Sequence, residues 1–377
     1  MPFTKTIIPM DKGVDTISDE LIIPENAWTK LQQFRVKKRS IQAFPGWLSI
    51  FAAGTTLGSF GTLAEECLLF DGSSFFVLAN SSTIYRYNPA TKTLTSLGAG
   101  KGATRDEPWM TFFYKDKMYV TNVVDGLYSW DGIATTFTAV ANAPKARSAE
   151  VIKEHICVLN VSDSPQKFQW CAEDAVTTWL AAATNDAGSF LLDDTPDVGV
   201  ALYRFVDDII AYKERTIIPI TWIGGNEVFA RKTAISGVGL IGQYAFADLG
   251  DSQMFMGPDT FYRYSGTQDL DDEFGRRIWE LVYPILHPTL KNRSRFIFME
   301  EFREVIVMFP SSKAAADCDT WVVYNIDDDV WYGPFAVNST FAGFTSRAST
   351  LFIDDVTSII DVTNDLIDTF ATLVGAP

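Results

Sequence analysis

Short runs in which apolar and polar residues alternate recur along this chain, each followed by a polar turn and a second run that ends on an aromatic. A period of two marks a half-buried β-strand. Ser74–Ala79 (SFFVLA) and Thr83–Asn88 (TIYRYN) are followed by the turn PATKT and the run LTSL. Residues 110–121 (MTFFYKDKMYVT) predict a hairpin around Lys115–Asp116, leading to GLYSWDG (126–132) and TTFTAV (135–140). Residues 150–161 turn at Glu154 and lead to a strand at 167–170 and another around Trp179. Residues 201–212 turn at Asp207–Asp208 before 217–223, and 254–264 turn at Pro258–Asp259. Residues 295–309 precede 320–325, and a weaker unit covers 341–361. Long amphipathic helices are scarce.

A smaller signature lies inside these units. Tyr87, Trp130, Tyr264 and Tyr324 each close or nearly close a strand before a turn residue, and in three cases an apolar residue follows seven positions later: Leu94, Phe137 and Trp331. Tyr87 and Trp130 are 43 residues apart, Trp130 and Trp170 are 40 apart. Several strands per period of 40–50 residues is the mark of propeller blades. The fold expected is all-β, a β-propeller of about six or seven blades with an N-terminal arm and short insertions. The arm and first strand take residues 1–50, the propeller 51–361 and a C-terminal tail 362–377. The wider gap from Tyr264 to Tyr324 predicts an insertion at 269–291, where IWELVYPIL reads as one short helix; the tail NDLIDTFATLV reads as a short amphipathic one.

Composition agrees with a packed β protein. The 377 residues are 47% hydrophobic, 21% charged and 14% aromatic, and flat rings suit pleated surfaces. No run of about 18 uncharged apolar residues is present, so no membrane-spanning segment is expected. The N-terminus lacks the apolar stretch of a signal peptide. The net charge of −16 opposes tight phosphate binding, though not passage of DNA without sticking. Cys67, Cys157, Cys171 and Cys318 form no CxxC pair and read as buried thiols. With two histidines far apart, His155 and His287, a His-based metal site or Ser/His/Asp triad is not expected.

The candidate chemistry is thin. Asp327, Asp328 and Asp329 could be a cation site, a catalytic pair or a turn; metal loops alternate their ligands and close with Glu and Gly, so three consecutive Asp between strands read as a blade hairpin tip. Gly237, Gly239 and Gly242 match G-x-G-x-x-G, but an alternating strand follows where a dinucleotide site needs a helix. A Gly-rich connection between blades, or a subunit contact, is the expectation there. The pairs Glu65–Glu66, Asp193–Asp194, Asp207–Asp208, Asp271–Asp272 and Asp354–Asp355 could flank a glycosidase pocket, yet the Asp box of sialidase-type propellers is missing and most read as turn residues. The sequons at 160–162 and 338–340 carry no weight without secretion. The basic patch Arg35, Lys37, Lys38 and Arg39 reads either as a solvated strand edge or as a contact to DNA phosphates or an acidic neighbouring subunit. No catalytic residue, metal or cofactor is expected.

Residues 11–47 (DKGVDTISDELIIPENAWTKLQQFRVKKRSIQAFPGW) resemble the opening of the tail nozzle, or packaged-DNA stabilisation (tail hub), proteins of short-tailed bacteriophages. Gly13, Asp15, Pro24, Trp28, Phe34, Arg35, Ile41, Pro45 and Gly46 sit at matching positions; Gln33 and Arg39-Ser40 depart from the family's usual Asn and Asp-Gly. ERTIIPITWIGGN (214–226), GLIGQYAFADLGDSQMFMGPDTFYRYSGT (239–267) and TWVVYNIDDDVWY (320–332) resemble later blades. The resemblance spans most of the chain in degenerate motifs. It implies a non-enzymatic virion protein of the tail, assembled in the host cytoplasm as a homohexameric ring. That ring would continue the DNA channel below the portal and adaptor (head-completion) protein, carry tail fibre or plug proteins, retain the packaged double-stranded DNA and let it out on infection. The alternatives are a monomeric propeller scaffold, a receptor-binding or lectin-like module, and a propeller hydrolase.

Overall fold

A computed structural model of the chain describes residues 12–16, 26–29, 34–37, 40–43, 51, 52, 55–225, 227–339, 342, 343, 360 and 361. Six antiparallel sheets of three to five strands succeed one another, each a meander whose sequence neighbours pair. This is a six-bladed β-propeller fold. Residues 47–243 with 339–377 form one compact unit holding blades 1–4; residues 1–46 with 244–338 form a second holding blades 5 and 6.

Blade 1 comprises Leu63–Leu68, Ser74–Ala79, Thr83–Asn88 and Thr93–Ala99. Blade 2 comprises Met110–Tyr114, Lys117–Asn122, Gly126–Trp130 and Thr138–Ala139. Blade 3 comprises Ala146–Ile152, His155–Val161, Ser164–Trp170 and Gly188–Leu191. In blade 4, Gly199–Phe205, Asp208–Lys213 and Thr216–Trp222 are edged by both Phe229–Arg231 and Ile235–Ser236. In blades 2 and 3 the first hairpin is tight because its turn residues accept positive φ: Lys115 (46°) and Asp116 (57°) in blade 2, Lys153 (45°) and Glu154 (64°) in blade 3. Two such residues make the twist of a two-residue hairpin match that of its strands. In blade 4 the turn falls at Val206–Asp207, one residue earlier than the alternation predicts, because Asp208 already pairs with Phe205.

The core lies between neighbouring blades. Val77, Ile84, Trp109, Met118 and Trp130 pack between blades 1 and 2. Phe112, Tyr119, Ala149, Ile156 and Trp179 fill the space between blades 2 and 3; Leu159, Phe168, Trp170, Leu202 and Ile218 fill that between 3 and 4. The seven-residue spacing now has a physical meaning: it is the reach across the outer hairpin. Tyr87 stands opposite Leu94, and the ring centroids of Trp130 and Phe137 lie 5.7 Å apart, those of Tyr324 and Trp331 4.9 Å.

Trp179 departs from its expected strand. It is buried in the long connection 171–187, its Nε1 donating to the Val176 carbonyl, and the outer strand of blade 3 is Gly188–Leu191 instead. Apolar burial alone gave Trp179 its strand-like look.

In the second unit, blade 5 has three strands, Phe246–Asp248, Gln253–Met256 and Phe261–Tyr264; a bridge between Arg263 and Asp271 replaces a fourth. The expected helix at 278–286 is a short helix, Trp279–Val282, that passes into a 3₁₀ turn, Tyr283–Ile285, because Pro284 brings no N–H to continue it, and a separate short helix, Glu273–Arg276, precedes it. Blade 6 comprises Arg295–Met299, Glu304–Phe309, Cys318–Asn325 and Val330–Ser339. Against its outer strand lies the start of the chain: Val14 donates its N–H to the Trp331 carbonyl at 2.7 Å, and Trp28 donates to the Gly13 carbonyl at 2.8 Å. Gly13 has φ of +66°, and a Cβ there would come within 2.6 Å of the Trp331 carbonyl oxygen, so only glycine fits. Of the weaker unit at 341–361, Ala342–Gly343 and Ile360–Asp361 pair as two short strands; the tail 362–377 lies outside the described residues.

One charged residue is built into the first unit. Lys213 is fully buried, and its Nζ donates to the Leu192 and Thr195 carbonyls at 2.8 Å and to Thr195 Oγ1 at 2.9 Å, with Asp197 Oδ1 at 3.1 Å. The lysine therefore ties the connection between blades 3 and 4 to blade 4. Replacing Lys213 by Ala strands the Asp197 carboxylate, so urea denaturation of that variant should show a loss of about 3–5 kcal/mol.

Candidate functional site

The aspartate triplet sits in the turn between Cys318–Asn325 and Val330–Ser339, where the spacing placed a hairpin tip. Its members differ. Asp327 points outward and pairs with Arg303 at 3.3 Å, while the N–H of Asp328 donates to the Asn325 side chain at 2.9 Å. Asp329, at φ of 50°, has a side chain 52% exposed, and both of its carboxylate oxygens are bonded. Its Oδ1 accepts the Tyr324 hydroxyl at 2.6 Å and its Oδ2 accepts Arg277 at 2.7 Å. The Tyr324 oxygen in turn accepts Arg263 at 2.8 Å, and the Arg277 carbonyl accepts Thr16 Oγ1 at 2.9 Å. The tip thus clamps the helical insertion and the N-terminal segment onto blade 6. Burial, and then the bond to Asp329, raise the Tyr324 hydroxyl pKa well above the ordinary tyrosine value. Among the described residues no group of three or more His, Cys, Asp or Glu side chains is arranged to hold a metal ion.

Arg35 and Lys37 lie in a two-stranded hairpin, Phe34–Lys37 paired with Ser40–Ala43; Lys38 and Arg39 lie outside the described residues. The glycine triplet falls in the connection from Ile235–Ser236 to Phe246–Asp248, with no helix after it. A Cβ on Gly239 would sit 2.4 Å from the Lys213 carbonyl oxygen, so this glycine serves backbone packing. Of the acidic pairs, Glu65–Glu66 lies within a strand of blade 1 rather than a turn, and Asp354–Asp355 lies outside the described residues. Asn160 of the first sequon is buried, donating to the Gly199 carbonyl.

His155, Cys171 and Asp186 come together in a way the sequence does not announce. His155 Nδ1 lies 2.9 Å from the Cys171 carbonyl oxygen and its Nε2 3.7 Å from an Asp186 carboxylate oxygen. Yet the Cys171 sulfur accepts the Ile156 N–H at 3.2 Å, and burial pushes its thiol up to about 11. A thiol held protonated in this way is a poor nucleophile. The cluster is a satisfied core histidine beside a structural cysteine.

What stands out as a feature built for contact is the end of the first unit where the inner hairpins turn. The Phe70 N–H of blade 1 donates to Asp116 of blade 2 at 2.5 Å. Lys115 of blade 2 pairs with Asp174 and, at 3.6 Å, with Glu154 of blade 3. Lys153 of blade 3 pairs with Asp207 of blade 4 at 3.4 Å. Each turn hands a donor to an acid on the next blade, which lines up four turns along one face. Residue identity carries a faint signal of this, YKDKM in one hairpin and IKEHI in the next, but the partners are 39 to 59 residues away. In the second unit, Asp248, Leu249, Gly250, Phe298, Glu300 and Arg303 line an open cleft of ≈ 380 Å³.

Two measurements test these assignments. Asp329→Ala should lower stability by about 1–2 kcal/mol, since it removes a charge-assisted bond and leaves Tyr324 short of an acceptor, whereas Asp327→Ala stays within about 0.5 kcal/mol; calcium or a chelator should leave the melting temperature of the native protein unmoved. Burial, and then the Glu66 charge, lift the Glu65 carboxyl from 4.5 to about 7. A carboxyl raised in the folded state holds protons that the unfolded chain releases, so stability falls as pH rises from about 4.5 to 7. Glu65→Gln should flatten that stretch of the stability curve and gain about 1–2 kcal/mol at pH 8, read from denaturation midpoints.

No protein-family model matches the chain, and no curated protein matches it. Solved structures similar to it include the computationally designed Ika8 protein (13% identity, 72% of this chain and 75% of that one, TM-score 0.40), YCF48 from Cyanidioschyzon merolae (9%, 53% and 68%, 0.35) and the Pan2 WD40 domain of Neurospora crassa (8%, 80% and 91%, 0.44). The fold rests on the sheet topology.

Proposed function

We propose that this protein is a structural component of a bacteriophage tail, a nozzle or hub subunit that assembles as a homohexameric ring around the DNA channel and performs no catalysis. One observation carries the reading. Two of the stretches that resemble that family, Gly13 to Trp28 in the arm and Tyr324 to Trp331 in the last hairpin, are 296 or more residues apart in sequence, yet they bond to each other through Val14 and Trp331. Arm and hairpin behave as one device.

The mechanism follows from charge. With a net charge of −16, the wall of such a ring repels phosphate and lets double-stranded DNA slide, while sparse basic residues such as Arg35, Lys37, Lys38 and Arg39 give weak, sequence-independent contacts. Blade connections are left to hold the adaptor on one side and fibre or plug proteins on the other. A monomeric interaction scaffold is the second reading, favoured by the apolar residues exposed on the turns of the first unit.

Electron microscopy of the purified protein and of particles carrying a labelled copy separates the two. A ring on the tail axis is the result expected; a protein that stays monomeric, with no label at the tail, overturns the nozzle reading.

A further inference from the structure

Among the described residues of the first unit, eight of the ten large apolar side chains that are exposed belong to one end of its blades. A four-stranded meander places its first and third connections at one end and its second at the other. The bonds from Phe70 to Asp116, Lys115 to Glu154 and Lys153 to Asp207 hold the first turns of the four blades side by side. Phe70 (86% exposed), Ile133 (88%), Leu180 (80%), Val206 and Ile223 lie in connections at that end, with three more exposed apolar residues within two positions of them. Val124 and Leu191 stand at the opposite end. Large exposed apolar side chains gathered on one face mark a contact surface. The same face is acidic. The connections at this end, 69–73, 89–92, 115–116, 131–137, 153–154, 171–187, 206–207 and 223–228, carry nine carboxylates and three lysines. Two of those lysines, Lys115 and Lys153, are already paired with neighbouring acids.

Phe70 and Ile133 come together where blade 1 meets blade 2. The connection 131–137 of blade 2 lies directly on the first turn of blade 1, so that a Cβ on Gly132 would run into the Leu69 side chain and come within 3.1 Å of the Phe75 ring. Trp130 Nε1 anchors that connection by donating to the Ala134 carbonyl at 2.7 Å, and Asp131 Oδ1 accepts the N–H groups of Ile133 and Ala134 at 3.0 and 2.8 Å. Phe70 is fixed in turn by the bond from its N–H to Asp116. Both apolar side chains are thus presented on backbone that is already ordered, which lowers the entropic cost of binding. Three carboxylates flank them: Asp71, Asp116 and Asp131. Each accepts a backbone N–H, and among the described residues none of the three is in an ion pair.

We propose that this turn face, centred on Phe70 and Ile133, docks a segment of another protein in which lysine or arginine stands beside apolar side chains. The apolar side chains pack on Phe70 and Ile133, and the cations meet Asp71, Asp116 and Asp131. Charge selects this class of partner. Nucleic acid and anionic membranes bring phosphate to a surface that already carries surplus carboxylates, and the same face of a second copy brings like charge. Charge complementarity makes the association weaken as salt rises, while the apolar anchors make charge alone insufficient. The proposal stands whether or not the chain forms a ring.

The test uses the full-length chain and short synthetic peptides as probes: leucine alternating with lysine, leucine alternating with glutamate, and serine alternating with lysine. Wild type is compared with Phe70→Ser plus Ile133→Ser, with Asp71→Asn plus Asp116→Asn plus Asp131→Asn, and with Val124→Ser plus Leu191→Ser at the opposite end. Asparagine keeps the oxygen that accepts each backbone N–H, and the two apolar face positions are almost fully exposed, so thermal melts by circular dichroism should be unchanged. In titration calorimetry the leucine–lysine peptide should bind wild type and the opposite-end variant alike, and each face variant about tenfold or more weakly. The other two peptides should bind wild type at least about tenfold more weakly than the first. A photo-crosslinker placed at position 133 of otherwise wild-type protein should capture the leucine–lysine peptide, a readout that needs no destabilising change. No binding of that peptide, an affinity that both face variants leave unchanged, or equal binding of the serine–lysine peptide overturns the proposal. So does a crosslink from position 133 to a second copy in the presence of the peptide, which makes the face a contact between copies.

Discussion

Apolar burial between neighbouring sheets is the constraint from which the rest of this molecule follows. A blade of four short strands has two faces and cannot bury either by itself, so each blade depends on the next. Trp109 and Trp130 between blades 1 and 2, and Phe168 and Trp170 between blades 3 and 4, are where that dependence is met. Fully burying such rings is worth about 1.5–3 kcal/mol apiece, several times what an exposed ion pair supplies. The faces being spent on packing, polar and charged residues are pushed to the strand ends, and contacts outward must be made there.

The turns show what becomes of those ends. A hairpin of two residues at positive φ is most easily made with Asn-Gly, yet blades 2 and 3 use Lys115–Asp116 and Lys153–Glu154. Holding a residue with a side chain in that region costs roughly 1–2 kcal/mol. The side chains gained in exchange reach across to the next blade, and the resulting chain of ties fixes the relative height of four turns. Position along one face, rather than strength of any pair, is what these ties contribute.

Unit two solves a different problem. Its fifth blade lacks a full outer strand, and the broken helices 273–285 and the N-terminal segment fill in around blade 6. Asp329 is the joint: Tyr324 and Arg277 converge on its two oxygens, and Arg277 passes the contact on to Thr16. A residue that stands in an exposed hairpin tip, as the sequence reading placed it, thereby also acts as the clamp of the unit.

Much of this was legible beforehand. Alternation located the strands from 74 to 88, the hairpins at Lys115–Asp116 and Glu154, and the Tyr-to-Trp spacing across 324–331, because strand period and hairpin length are local properties of the chain. Locality also explains the misses: Trp179 looked like strand because burial and strand membership draw on the same apolar residues, and IWELVYPIL looked like one helix until Pro284 was set against it. The partners of Lys115, the fate of His155 beside Cys171 and the bonds that Arg277 and Tyr324 make to Asp329 were all invisible. The sequence determined which segments are strands and which residues turn; the tertiary structure alone decided which turns stand side by side, since that depends on how whole blades pack across separations of forty residues and more.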